Sequence, residues 1–306
     1  MPALFAFAVT LVSTVAHAKS SGRDATPLSS SDIERYIPYA ELARAAYCLS
    51  NSITWDCGDA CVANDDFELY GTGGDGTMES PYYFVGYSPS LPSIVVAHGG
   101  IEAEDLFTAL QDPGASQAAV NASLFPGVGE DVQAHAGFLD AHEKNAEAVL
   151  AAVQDTISGT GAAVLTTVGH GVGGVLAEID AVYLRLNVPF IRMNTISFGK
   201  PRVGNAAWAD LVDANADSYA RINNKKGRCD LDPIPVLPLR TAEYEHPTGE
   251  IHVVAEDVWM ICAADSSRED EEDAECTIQT VPDASQGALE DHAGPYGGVF
   301  IGGGYC

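Results

Sequence analysis

The chain predicts an α/β fold with a mostly parallel central sheet and helices on both of its faces. Three observations carry this. Apolar strand-like runs end in glycine turns, helical periodicity follows them, and residues 162–187 run from strand through glycine turn to helix without a break. Strands buried on both faces read as near-continuous apolar runs, and a parallel pair needs a crossover connection, usually a helix.

Each element has its own signal. Residues 31–51, SDIERYIPYAELARAAYCLSN, predict a helical opening interrupted or restarted at Pro38, which has no amide to donate. Ile33 and Ile37 are candidate packing positions before the proline; Leu42, Ala46 and Leu49 recur at helical spacing after it. IVVAHGG at 94–100 predicts a strand ending in a glycine turn. The next stretch, EAEDLFTALQD, predicts a short amphipathic helix with Leu106, Phe107 and Leu110 on one side. After the His135–Phe138 segment, HEKNAEAVLAAVQDTI predicts a longer helix packed through Ala146, Val149, Leu150 and Val153. AAVLTTVG is then a strand, and VLAEIDAVYLRL a helix with Leu176, Ile179, Val182, Tyr183 and Leu186 on its packed face. Pro189 closes that helix, and IRMNTISFG at 191–199 is another strand. There is no internal repeat and no linker long enough to divide domains.

Charge and cysteine usage narrow the setting. The chain has 43 acidic and 15 basic residues, a net charge of -28, which repels nucleic acid and anionic lipid. Residues 2–18 form an apolar run ending in small residues, with Ala16 and Ala18 placed for cleavage after Ala18. This predicts a signal peptide over 1–18, one domain over 19–306, and a secreted, extracellular protein. The run is short for a membrane span, and no later segment has 18 consecutive apolar residues, so no integral membrane anchor is expected. Seven cysteines in an exported chain argue for disulfides. Cys57 and Cys61 are near enough to close a tight loop, and Cys262 and Cys276 bracket an acidic run. Cys48 and Cys306 are placed to tie the first helical region to the far end, and Cys229 is the candidate for the cysteine left over. Spacing alone does not decide these pairings. Asn121-Ala-Ser123 is a candidate glycosylation site. The acidic loop 266–273 lacks the spacing and turn glycine of a calcium loop, so no metal is expected, and no cofactor.

The chemical signal lies in Gly169-His170-Gly171-Val172-Gly173-Gly174. A G-x-S-x-G turn between strand and helix projects a serine hydroxyl above the sheet, beside amides that can hold an oxyanion. Here Gly169 and Gly173 relieve crowding between strand and helix, while Gly171 stands at the nucleophile position. A dinucleotide site is a weaker alternative: Gly169, Gly171 and Gly174 match G-x-G-x-x-G by letter, but no persuasive ribose-binding acid follows. Two residues complete the order nucleophile, acid, histidine. Asp232 lies in CDLDPIPVLP, stiffened by prolines, and His292 in the glycine-rich LEDHAGPYGG. A buried carboxylate can hold an imidazole in one tautomer and support its charge.

The chain resembles the fungal class 3 lipases over about residues 37–306. The motifs that carry the resemblance are IVVAHGG, FPGVGEDVQAHAGF, VGHGVGG, ISFGKPRVGN, DPIPVLP, YEHPTGEIH and DHAGPYGG, all in collinear order. It implies an α/β-hydrolase fold, with Asp232 as catalytic acid and His292 as general base. It also implies a lid over Glu102 to Asp112 carrying Leu106, Phe107 and Leu110, and an oxyanion hole from the backbone amides of Ile101 and Val172. The pairings Cys48 with Cys306 and Cys57 with Cys61 are similar to that family's arrangement. Two departures touch the site: Gly171 replaces the serine, and Ile101 stands where a Ser or Thr hydroxyl commonly assists the oxyanion hole.

Glycine cannot form an acyl-enzyme, which closes the covalent route. Thr166 and Thr167 lie on the strand and point away from the turn, Ser197 lies on the next strand, and His170 is expected to pack beside the elbow. Inactivation needs only one change, so a second departure in the same site favours natural divergence. The expectation is a lipase-like pseudoenzyme that keeps a pocket for acyl lipid or ester, possible at a lipid–water interface. An active triacylglycerol or carboxylic ester hydrolase is the enzyme alternative, and a protein-interaction scaffold the non-enzyme one.

Overall fold

In a computed structural model of the chain, the described residues are 25–111, 116–226, 230–262, 276–277, 281 and 284–306. The expected signal peptide over 1–18, Cys229 and the expected acidic loop over 266–273 lie outside them.

The chain opens with β1 (Thr26–Pro27) and four short helices, α1 (Ser30–Glu34), α2 (Ile37–Ala45), α3 (Leu49–Ile53) and α4 (Asp59–Val62). Strands β2 (Glu68–Gly73), β3 (Tyr83–Ser88) and β4 (Ser93–His98) follow, then α5 (Ala103–Leu110) and the small ribbon β5 (Gln117–Ala119) and β6 (Gln133–His135). Helices and strands then alternate: α6 (Ala136–Thr160), β7 (Val164–His170), α7 (Val172–Asn187), β8 (Arg192–Phe198), α8 (Ala206–Asn215) and β9 (Ser218–Lys226). The last strands are β10 (Asp230–Leu231), β11 (Glu250–Ala255) and β12 (Val258–Ile261).

The main sheet has the order β1-β12-β11-β9-β8-β7-β4-β3-β2, with β10 beside β9. Its centre, β4-β7-β8-β9-β11, is parallel, and antiparallel pairs finish both edges. This is the α/β-hydrolase arrangement that the alternating pattern predicted. All of β4 is buried, which is why it reads as a continuous apolar run. One core cluster joins α5, α6, α7 and α8 to the sheet through residues such as Leu106, Phe138, Val182 and Trp208. A second, including Leu42, Phe84, Phe198 and Tyr296, joins α2 and the C-terminal segment.

The helical opening restarts at Pro38 as expected, and two later details differ from the sequence expectation. Pro38 occupies the first turn of α2, where a missing amide costs nothing, so it starts a helix. Leu42 and Ala46 are buried, but Leu49 lies beyond a break in the helix, has φ +32° and is 40% exposed. Helix α6 begins at Ala136, because burying Phe138, Leu139 and Ala141 outweighs the cost of about 1 kcal/mol for Gly137 in a helix. Helix α7 ends at Asn187, consistent with the aversion of a pre-proline residue to helical backbone at Val188. Disulfides join Cys48 to Cys306, Cys57 to Cys61 and Cys262 to Cys276. Among the described residues no helix is long and apolar enough to cross a membrane.

Candidate active site

The turn between β7 and α7 explains its own glycines. A Cβ on Gly169 would strike the backbone of Gly173, and one on Gly173 would strike the carbonyl of His98. Gly171 has φ +56° and ψ -121°, a sharp reversal that L side chains rarely adopt. Val172 opens α7, whose first-turn amides have no partners within the helix.

Asp232 follows β10, and one of its oxygens accepts from the amide of Ile234 at 2.9 Å. His292 lies in the short helical turn Leu289–Ala293. Sixty residues apart in sequence, the two meet: His292 Nδ1 lies 3.0 Å from Asp232 Oδ2, and both side chains are buried. Nδ1 therefore carries the proton that it donates to the carboxylate, and in the neutral ring Nε2 is left with a lone pair. That nitrogen is buried without a hydrogen-bond partner and points at the elbow, 2.9 Å from where a Cβ on Gly171 would sit. Leu106 of α5 covers the same point, its Cδ2 3.4 Å away. Leu106 and Leu110 are buried and Phe107 is half-buried, so α5 lies closed over the elbow.

A network that the sequence did not suggest supports the His292 loop. His170 Nε2 donates to the carbonyl oxygen of His292 at 2.8 Å, and Tyr47 donates its hydroxyl proton to His170 Nδ1 at 2.8 Å. Burial, and then the neighbouring His292, hold the His170 pKa well below the usual range, which keeps that tautomer neutral. Tyr296 donates to the same His292 carbonyl at 3.1 Å. Gly199, with φ +53°, makes room for the pair: its Cβ would lie 3.0 Å from both Asp232 Oδ2 and His292 Cε1. In the first glycine turn, a Cβ on Gly100 would collide with the Tyr47 hydroxyl and lie 2.7 Å from the His170 carbonyl oxygen. Ile101, next along, is half-buried and lines a cavity of about 370 Å³ together with Tyr47, His170, Leu289 and His292. Helical and strand periodicity carry no signal for Tyr47, Tyr296 or Gly199. Only their three-dimensional approach identifies them.

The remaining hydroxyls near the elbow are engaged. Thr166 bonds Ser93, Thr167 donates to Thr195, and Ser197 bonds Tyr219. Beneath the turn, Asp180 of α7 receives His98 Nε2 at 2.6 Å and His142 Nε2 at 2.9 Å. As for metals, Glu250, Cys262 and Cys276 cluster, but both cysteines are disulfide-bonded, so no thiolate is available there. Asn121 is exposed, and its side-chain oxygen accepts from the Ser123 amide.

A strand–elbow–helix turn with an acid–histidine pair above a parallel sheet defines the α/β-hydrolase class. More particularly, the chain is similar to the class 3 lipases: the family profile described as Lipase (class 3) matches residues 94–242. A secreted mono- and diacylglycerol lipase of Malassezia globosa is 27% identical over 232 residues, covering 72% of this chain and 67% of that protein. One from Malassezia restricta is 26% identical over 225 residues, covering 72% and 66%. These matches span about two thirds of the relatives' length. The lipase of Rhizopus microsporus var. chinensis superposes with a TM-score of 0.76 at 23% identity, covering 91% of each chain. The Rhizomucor miehei lipase–propeptide complex gives 0.74 at 22%, covering 89% of this chain and 83% of that one. At these identities the structural likeness concerns the fold.

Proposed function

We propose that this chain is a secreted lipase-like protein that holds acyl lipid in an inherited site without hydrolysing it. The observation that carries the reading is Gly171 at the nucleophile position, with the nearby hydroxyls of Thr166, Thr167 and Tyr47 engaged elsewhere. An acyl-enzyme needs an activated oxygen or sulfur at the elbow, and glycine supplies neither. Asp232 and His292 take the roles of acid and base, and the amides of Ile101 and Val172 those of oxyanion donors. Helix α5 serves as the lid, with a cleft of about 820 Å³ against its outer side. Secretion is supported by the apolar run at 1–18 and by the similar Malassezia proteins, which are secreted mono- and diacylglycerol lipases.

Retention of the Asp232–His292 pair favours a second reading, residual hydrolysis by water that His292 activates directly. Hydrolysis of p-nitrophenyl esters, compared with a His292→Ala control, separates the two. The expected result is saturable binding of a non-hydrolysable ester probe, with esterase activity no greater than that of the control. Turnover that depends on His292 would overturn the non-catalytic reading.

A further inference from the structure

A row of buried polar groups lies behind the segment that carries Asp232. Lys200 follows β8 and is fully buried, and its ammonium has three N–H donors. Three acceptors meet them: Glu178 Oε2 of α7 at 2.7 Å, the Pro201 carbonyl oxygen at 3.1 Å and His246 Nδ1 at 3.2 Å. The last contact fixes the His246 tautomer. With Nδ1 accepting, Nε2 carries the ring proton and donates it to the Pro235 carbonyl oxygen at 2.8 Å. Burial, then the charges of Arg221, Lys200 and Arg202, hold the His246 pKa well below the usual range, so the ring stays neutral and can accept. Pro235 sits in the short helical turn Ile234–Val236, and the Ile234 amide is the donor to Asp232 Oδ1. Arg202 holds the same stretch through the carbonyl oxygens of Val236 and Pro238. Pro233, Leu237 and Leu239 of this stretch wall the cleft of about 820 Å³.

We propose that Lys200 is a positioning residue for the inherited site: its third N–H, present only in the ammonium form, keeps His246 on Pro235 and so holds Asp232 and the cleft wall in place. A neutral amine has two N–H groups and cannot serve three acceptors. The longest contact, to the neutral ring, is the one given up, since a carboxylate is the stronger acceptor. The charged and titratable groups around Lys200 are Glu178 of α7, Tyr219 and Arg221 of β9, Arg202 and His246. Burial pushes the Lys200 pKa down from 10.5 to about 8, with Arg221 and Arg202 adding to the fall and Glu178 opposing it. The unfolded chain therefore binds more protons between about 8 and 10.5, and this group adds stability as the pH rises there. Losing the proton releases a contact inside the folded chain and does not unfold it. For the cleft, this inference rests on the acyl-lipid-binding reading above; for the Asp232–His292 pair it stands without it.

The test uses the whole chain and a dodecyl glyceryl ether, an uncharged probe with no ester to hydrolyse. Its affinity should fall about threefold or more between about pH 7 and about pH 9, with a midpoint near 8. The His292 Nδ1–H resonance, assigned in isotope-labelled protein by its loss in His292→Ala, should shift over the same range while circular dichroism stays constant. Lys200→Met with Glu178→Gln removes both buried charges together, a change that buried ion pairs commonly tolerate. This double variant should show the weaker affinity at both ends of the range and a resonance that no longer moves. His246→Phe, which leaves the ion pair alone, should flatten both profiles as well. A step that persists in either variant places its origin elsewhere and overturns the proposal, as does a flat profile in the parent chain. Absence of saturable binding across the range overturns the lipid reading, and the resonance alone then decides the role of Lys200.

Discussion

His292 Nε2 lies 2.9 Å from the position that a Cβ on Gly171 would take, closer than real Cβ atoms come to a neighbour. The imidazole thus occupies part of the space that a side chain at 171 would need. Any side chain at 171 must also accept φ +56°, at a cost of about 1–3 kcal/mol for a non-glycine residue. Gly171→Ser should therefore lower the unfolding free energy by about 1–3 kcal/mol in urea titrations. An unchanged midpoint would mean that turn and imidazole accept the side chain freely.

On the proposed non-catalytic reading, the same substitution should confer weak chemistry. With Asp232 still holding His292, Gly171→Ser should label with an organophosphate and hydrolyse short esters slowly. In the proposed oxyanion hole Ile101 supplies no side-chain hydroxyl, and losing one oxyanion donor costs about 10²–10³ in rate. Adding Ile101→Thr should raise esterase activity at least about tenfold over the single variant. A double variant that folds yet neither labels at 171 nor turns over would show that the framework has been remodelled beyond catalysis.

Asp180 gives the fold an acid-sensitive contact. Burial pushes its carboxyl up, but hydrogen bonds from His142 and His98, with their charge, more than offset this and bring the pKa to about 2, from an ordinary 3.8. A carboxyl depressed in this way stabilises the fold fully above 3.8 and loses that contribution as the pH falls toward 2. The shift corresponds to about 2–3 kcal/mol. Asp180→Asn should be less stable than the parent by about that amount at pH 6, with the gap closing near pH 2. A gap that is constant with pH would mean that the carboxyl is not held low in the folded state.

The Cys48–Cys306 bridge closes a loop over a sequence separation of 258 residues. Loop entropy gives such a bridge about 5–6 kcal/mol. It also anchors Gly302, Gly303 and Tyr305, which wall the cavity beside His292. Replacing both cysteines with serine should lower the thermal midpoint by several degrees, whereas removing the four-residue Cys57–Cys61 bridge should cost less. Equal losses from the two would argue against the entropic account.

Much of this was legible where local and global signals agree. The run from Val164 to Asn187 combines a buried strand, glycines forced by backbone contact and an apolar helix face, so pattern alone located the elbow. Asp232 and His292 could be named because proline and glycine set each in a rigid loop, and the resemblance fixed their order. The Asp180 cluster was not legible. His98, His142 and Asp180 come from β4, α6 and α7, and each looks like an ordinary polar residue until the three are packed together. Leu49 misled for the opposite reason: its spacing fits a helix that stops before reaching it.

The Tyr47 phenol stands where a side chain at position 100 would have to go. A smaller residue at 47 would clear the phenol but release His170 from its hydroxyl partner, and the His170 carbonyl oxygen would still lie 2.7 Å from a Cβ at position 100. The tyrosine, the glycine and the end of β7 are therefore interlocked, and a change at any one of them is felt at the other two.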